Sequence, residues 1–174
     1  MKCLQNICLL LSLTVFQIAY AGSCFEKPGD FDDCLTKAKQ GDARAQYNLG
    51  WIHRVGKQVS QDYNEAVLWY RKSATQGYAL AQTQLGVMNE LGWGISQSYK
   101  VAAKWYRKAA DQNDTLGQLR LASLYSQGKG VAKNLKEAEK WYLRSASYDG
   151  DYAYAKKMIK EMYADNNAIL FIVK

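Results

Sequence analysis

Proline and histidine are almost missing from this chain, with one residue of each in 174. So little proline leaves long stretches free to be helical, because nothing interrupts the backbone N–H ladder. A single histidine excludes HExxH sites and histidine-based metal triads. The four cysteines, at 3, 8, 24 and 34, contain no CxxC pair, and no histidine lies beside them to complete a zinc site. There is no P-loop, no GxSxG and no GxGxxG in a strand–helix setting. Carboxylates do occur close together, at Asp32 and Asp33 and at Glu137 and Glu139. Neighbours at i+1 or i+2 do not face each other on a helix, so these are poor acid–base pairs. The sequence therefore names no catalytic residue, no cofactor-binding residue and no metal ligand. No run of like charge exists either. The 23 basic and 16 acidic residues are interspersed, which argues against nucleic acid as a partner. No apolar run is long enough to span a bilayer comfortably.

What the chain has instead is aromatic and apolar mass, with 13 Tyr, 5 Trp and 48% hydrophobic residues, enough to build a core. Residues 1–21 read as a secretory signal. Lys2 supplies a positive start, Ile7 to Ile18 is mostly apolar, and Ala19-Tyr20-Ala21 gives the small-x-small pattern of a cleavage site. A lipoprotein reading through Cys24 is weaker, because Ala21, Gly22 and Ser23 lack the bulky apolar residue a lipobox wants three places ahead. Cleavage after Ala21 places the protein in the periplasm or outside the cell, with no membrane insertion after cleavage. It also removes Cys3 and Cys8 and leaves Cys24 and Cys34 in a compartment that permits oxidation. These two are expected to form a disulfide. A loop this short contributes ~3 kcal/mol in the chain-entropy treatment.

Self-similarity decides the fold. The pair Trp-Tyr recurs at 69/70, 105/106 and 141/142, a step of 36 residues. Gln46, Gln82 and Gln118 keep that step, as do Leu49, Leu85 and Leu121, Gly56, Gly92 and Gly128, and Ala66, Ala102 and Ala138. Each unit reads as two helices. Helix A covers Ala43 to Val55, Ala79 to Leu91 and Thr115 to Gln127, and helix B covers Tyr63 to Gln76, Tyr99 to Gln112 and Leu135 to Tyr148. Ala45, Leu49 and Ile52 fall on one face at helical spacing. Gly50 and Gly86 sit mid-helix, where glycine costs ~1 kcal/mol relative to alanine, a cost that fits close approach of another helix. Asp62, Ser98 and Asn134 stand where a short polar side chain caps helix B. Glycines after helix A, together with Gly77 and Asn113 between units, suit left-handed turns. The chain divides into a signal (1–21), an N-terminal cap with the disulfide (22–40), repeats at 41–76, 77–112 and 113–148, and a capping helix with an apolar tail (149–174). In the tail, Asp165-Asn166-Asn167 is expected to end the capping helix. Ala168 to Val173 should then fold back as an extended segment, with Phe171 over Ile159 and Tyr163, the competing reading being that it docks onto a partner by strand addition. Such a run left exposed would be an aggregation hazard.

The second copy reads Ala79-x-Ala81-Gln82-x-x-Leu85-Gly86, Gly92-x-Gly94-Ile95, Ala102-x-x-Trp105-Tyr106-x-Lys108-Ala109-Ala110. This pattern resembles the Sel1-like repeat family, which is related to tetratricopeptide repeats, over about residues 30 to 164. Three departures stand out. Gln58 replaces the second turn glycine of the first copy, and Gly117 and Ala122 occupy places where the family has Ala and Gly. The resemblance implies an all-α fold, a right-handed α-solenoid of helix-pair repeats, that binds another protein in a concave groove. Small exported members of the family include immunity proteins that neutralise envelope-targeting toxins, and others that act as adaptors or regulators in host interaction or the envelope. A cysteine-rich branch has been linked to β-lactam hydrolysis, but it carries a disulfide within each repeat, and this chain has no cysteine inside its repeats. The resemblance also points to the periplasm of a Gram-negative bacterium. An immunity-type binding module is the leading expectation, and a cell-wall enzyme the least favoured.

Residues that recur at every repeat serve packing, so Trp69, Trp105 and Trp141 are expected in the core and His53 as a hydrogen-bonded structural residue. Residues that break the repeat are the candidates for a partner. On the helix A face away from the core stripe they run Arg44, Tyr47, Asn48 and Trp51, then Leu80, Thr83, Gln84 and Val87, then Leu116, Leu119, Arg120 and Ser123. Tyr152, Lys156 and Ile159 extend the row. Trp93 stands in a turn where the other copies have lysine, and exposed tryptophans are frequent hot spots. Mass spectrometry of the unreduced, exported protein should find a chain beginning at Gly22 with Cys24 joined to Cys34. Two free thiols would count against the disulfide, and a retained leader against export.

Overall fold

The computed structural model describes residues 30–149 and 152–172, which form eight helices. In chain order they are α1 (Asp30–Lys39), α2 (Ala43–Val55), α3 (Tyr63–Thr75), α4 (Ala79–Leu91), α5 (Tyr99–Asp111), α6 (Thr115–Gln127), α7 (Leu135–Asp149) and α8 (Tyr152–Ile172). The signal segment and Cys24 lie outside the described residues. The three A helices are α2, α4 and α6, and the three B helices are α3, α5 and α7. Their bounds agree with the 36-residue pattern to within a residue at each end. Each helix packs chiefly on the one before and the one after it in the chain, which is the contact pattern of a solenoid.

The caps follow the sequence chemistry. Asp62 accepts from the backbone N–H groups of Asn64 and Glu65, Ser98 from Val101, and Asn134 from Glu137. Each A helix ends on a glycine in the left-handed region, Gly56, Gly92 and Gly128, whose N–H donates back to Ile52, Met88 and Leu124. Gln58 holds φ +69°, so the first turn takes the same conformation as its glycine-bearing copies. In those copies glycine is required for a second reason. A Cβ on Gly94 or Gly130 would lie 2.3 Å from the backbone of Tyr63 or Tyr99, in the first turn of the preceding B helix.

Within each of the first two repeats, the A and B helices touch through a glycine and a tyrosine. A Cβ on Gly50 would sit 2.5 Å from the Tyr70 ring, and one on Gly86 would sit 2.5 Å from the Tyr106 ring. Tyr70 and Tyr106 are fully buried. The third copy has Ala122 at this place and still buries Tyr142 at 3% exposure.

Between repeats the seam is polar as well as apolar. Gln46, Gln82 and Gln118 donate through Nε2 to the carbonyls of Ala38, Ala74 and Ala110, at the end of the preceding unit. The Oε1 atoms of Gln46 and Gln82 accept in turn from Gln76 and Gln112, at 2.7 and 2.8 Å. Each of these carbonyls also accepts from a backbone N–H, of Gly41, Gly77 or Asn113, so the glutamine adds a second bond that crosses the seam. At Gly117, a Cβ would press on Ala109 and on the Thr83 hydroxyl, which donates to Asp114 at 2.7 Å. The glycine makes room for that bond.

Two expectations need correction. Trp141 and Trp69 are buried, at 2% and 9% exposure, but Trp105 is only half-buried. Arg107 and Arg144 cover Trp141 at 4.9 and 5.1 Å, whereas Arg71, the equivalent of Arg107 one repeat earlier, is exposed and leaves Trp105 a single cation, Lys108 at 4.7 Å. The tail also differs. The backbone of α8 is one helix from Tyr152 to Ile172, with no break at Asp165-Asn166-Asn167 and no extended return. Asparagine permits a helix end without forcing one, and i→i−4 bonding carries the helix through. Ala155 and Met162 of α8 pack on the last cluster, and the Tyr163 hydroxyl donates to Glu139 at 2.8 Å.

Adding a methyl at Gly86 (Gly86→Ala) should destabilise the fold by about 1–3 kcal/mol through overpacking against Tyr106, despite alanine's better helix propensity. Urea unfolding would measure it, and an unchanged or raised midpoint would contradict the contact. Trp141→Ala should cost about 3–5 kcal/mol, and Trp105→Ala distinctly less.

Candidate protein-binding face

The A helices present the repeat-breaking row in three grades of accessibility. Arg44, Leu80 and Leu116 hold equivalent places in the three copies, one per repeat, and all are exposed, the leucines at 44% and 41%. Arg120 and Lys156 are exposed as well. Tyr47, Trp51, Gln84, Val87, Leu119 and Ser123 are half-buried and line the surface between the helices. Asn48 and Thr83 are buried, at 7% and 1%, and so offer a partner little surface. Tyr152 opens α8.

Several of these side chains already have partners within the fold. Tyr47 packs against Tyr70 and Tyr78, with ring centroids 5.8 and 5.5 Å apart, and burial followed by the neighbouring Tyr78 raises the pKa of its hydroxyl. Lys57 lies 5.8 Å over the Trp51 ring. Arg120 forms an ion pair with Glu90 at 3.8 Å, so this member of the row already has a partner within the fold. Glu90 also accepts from the Tyr106 hydroxyl, so one carboxylate links α4, α5 and α6. Trp93 lies apart from the row. It is 37% exposed and stacks on Tyr63, at 5.1 Å and 18° between planes, along the edge where turns meet B-helix N-termini.

Sequence reasoning missed the polar group that meets each buried tyrosine. Arg54, Glu90 and Ser126 occupy one repeat position, and they face Tyr70, Tyr106 and Tyr142. The shared register was visible in the sequence, but the three residue types have no chemistry in common to mark it. His53 is half-buried, and its Nδ1 has no hydrogen-bond partner among the described residues, so the expected bond is not found there. Among the described residues no cluster of three metal-ligating side chains occurs, and no helix is long and apolar enough to cross a membrane.

Burial first, and for Tyr106 the Glu90 carboxylate next, push the hydroxyls of Tyr70 and Tyr106 well above the ordinary tyrosine value of 10. The unfolded chain ionises near that value while the folded chain keeps its protons. The stability from these groups is therefore complete below pH ~10 and declines as pH rises above it. Melting temperatures measured from pH 8 to 12 should fall above ~10, and Tyr106→Phe should flatten the fall. An identical pH profile for the variant would contradict this.

Comparison with curated proteins gives no match. Solved structures do match. A protective antigen present in uropathogenic Escherichia coli strains, which displays an SLR fold, superposes with a TM-score of 0.73 at 34% identity, over 79% of this chain and 29% of its own. A Sel1 repeat protein from Oxalobacter formigenes gives 0.72 at 32% identity, over 91% of this chain and 62% of its own. Cysteine rich protein B of Helicobacter pylori gives 0.56 at 25% identity, over 71% and 93%. The chain thus spans less than two thirds of the first two relatives. The Sel1 repeat family matches at residues 43–78, 79–114 and 115–147, most of the solenoid. The chain belongs to the Sel1 repeat family, whose members generally serve as protein–protein interaction modules and are typically non-catalytic.

Proposed function

We propose that this protein is a non-enzymatic binding module, exported to the periplasm or beyond by residues 1–21, that holds another protein against its A-helix face. The observation that carries the reading is the pair Leu80 and Leu116. Two exposed leucines stand one repeat apart on a rigid scaffold, with Arg44 and Arg120 beside them and half-buried Trp51 and Val87 between the helices. An apolar strip rimmed by charge is the composition of a protein-binding surface. A disulfide from Cys24 to Cys34 would tie the leading segment to α1, where Cys34 is buried in the first apolar cluster. The specific reading is neutralisation of an envelope-targeting toxin. A small repeat module without catalytic chemistry acts by occupying a surface. Host interaction is the second reading, favoured by the likeness to a protective antigen of uropathogenic Escherichia coli.

A photo-crosslinking residue placed at Leu80 or Leu116 in the native host should capture one defined protein, while the same residue at Leu68 or Leu143, exposed on B helices, should not. Leu80→Glu combined with Leu116→Glu should weaken that complex by at least about tenfold with an unchanged melting temperature. A captured bacterial toxin, together with protection of cells co-expressing both, supports immunity. A captured host protein supports the second reading. Crosslinks from Leu68 or Leu143 alone would place the interface on the other side.

A further inference from the structure

At the seam between the second and third repeats, α5, α6 and the turn after α6 line an open cavity of about 470 Å³, within the size range of small-molecule sites. Its floor is apolar, from Leu121 and Val131, and its rim is basic, from Lys100, Lys104 and Arg107, with Lys108 at one end. No lining residue is acidic. Lys100, Lys104 and Lys108 follow one another at i, i+4 and i+8, a spacing at which like charges repel and destabilise a helix. None of the four cations forms an ion pair among the described residues.

Arg107 is held in place. It donates through Nη2 to the Tyr125 hydroxyl at 2.6 Å, and its guanidinium lies 5.5 and 4.9 Å over the rings of Tyr125 and Trp141. A guanidinium fixed by stacking keeps its other N–H groups available for a bidentate anion.

The repeat itself argues that packing does not require this cluster. At the first seam the places of Lys100, Lys104 and Tyr125 are taken by Asn64, Leu68 and Asn89, and at the last seam the place of Arg107 is taken by Leu143. The carboxylates Glu65 and Glu137 hold one repeat position, and in the third copy Glu137 pairs with Lys140 at 3.7 Å. In the second copy that position is Val101, so Lys104 loses the neutralising neighbour that its counterpart Lys140 keeps. The third copy keeps Lys136 and Lys140 at the places of Lys100 and Lys104, but only the second copy joins both lysines to an arginine at 107 and lacks the carboxylate.

We infer that this cavity binds a small amphiphilic anion, a phosphate or carboxylate head on an apolar body, with the head on Lys100, Lys104 and Arg107 and the body over Leu121 and Val131. The test is a chemical-shift titration of the full chain with decyl phosphate below its micelle concentration. Inorganic phosphate, decanol and phosphatidylglycerol vesicles are run beside it. Decyl phosphate should shift the amides of 100–108, 125 and 130–131. Lys100→Gln with Lys104→Gln should weaken it by about tenfold, the loss of two charge contacts, while melting as the native chain does. Inorganic phosphate or decanol binding as tightly would overturn the amphiphile. So would an effect of the double variant no larger than that of Lys57→Gln, a lysine remote from the cavity. Binding to the vesicles but not to decyl phosphate would assign the patch to a lipid surface and overturn the small-ligand site.

Discussion

Everything in this molecule depends on how closely helix A can approach helix B. In the first two repeats that distance is set by a tyrosine ring lying where a glycine has no side chain, Tyr70 on Gly50 and Tyr106 on Gly86. The arrangement sets a mid-helix glycine, which costs ~1 kcal/mol in helix propensity, against burial of a large aromatic side chain. Close packing then makes each pair a rigid block, and the blocks stack.

Stacking needs a second device to hold one unit in register on the next. The repeated glutamine supplies it by reaching across the seam to the carbonyl of Ala38, Ala74 or Ala110. Its own Oε1 is bonded by the glutamine of its own unit at two of the three seams. Buried polar bonds of this kind fix register, since a shifted unit would leave them unmade. The same rigidity gives the surfaces their meaning. Leu80 and Leu116 are held apart at one repeat spacing, and the basic rim of α5 is held over an apolar floor.

The three buried tyrosines show how a repeat scaffold absorbs variation. Arg54, Glu90 and Ser126 share one structural position beside these tyrosines, where the Tyr106 hydroxyl donates to Glu90 while the Tyr70 hydroxyl has no hydrogen-bond partner among the described residues. In the second unit that group also pairs with Arg120 of the next, so the substitution couples neighbouring units. Binding residues and packing residues are thus not separate classes along the A face.

The sequence alone determined the fold class and, within the three repeats, the helix bounds, the caps and the left-handed turns, because each follows from local chemistry repeated at a fixed step. Asp62, Ser98 and Asn134 cap wherever they precede a helix, and Gly56, Gly92 and Gly128 end one wherever they follow it. Only the tertiary structure decided which repeat-breaking residues are accessible. Asn48 and Thr83 lie on the same helical stripe as Leu80 and Leu116, yet they are buried, because the neighbouring repeat covers that part of the stripe. Trp105 repeats in register with Trp141, yet it stays half-buried, because its cover comes from a residue on the adjacent B helix. The cavity beside α5 has the same origin. Its cations are visible in the sequence along one helix, but the floor and the rings that hold Arg107 in place come from the next unit. Periodicity specifies what one unit is, and what lies between two units depends on both at once.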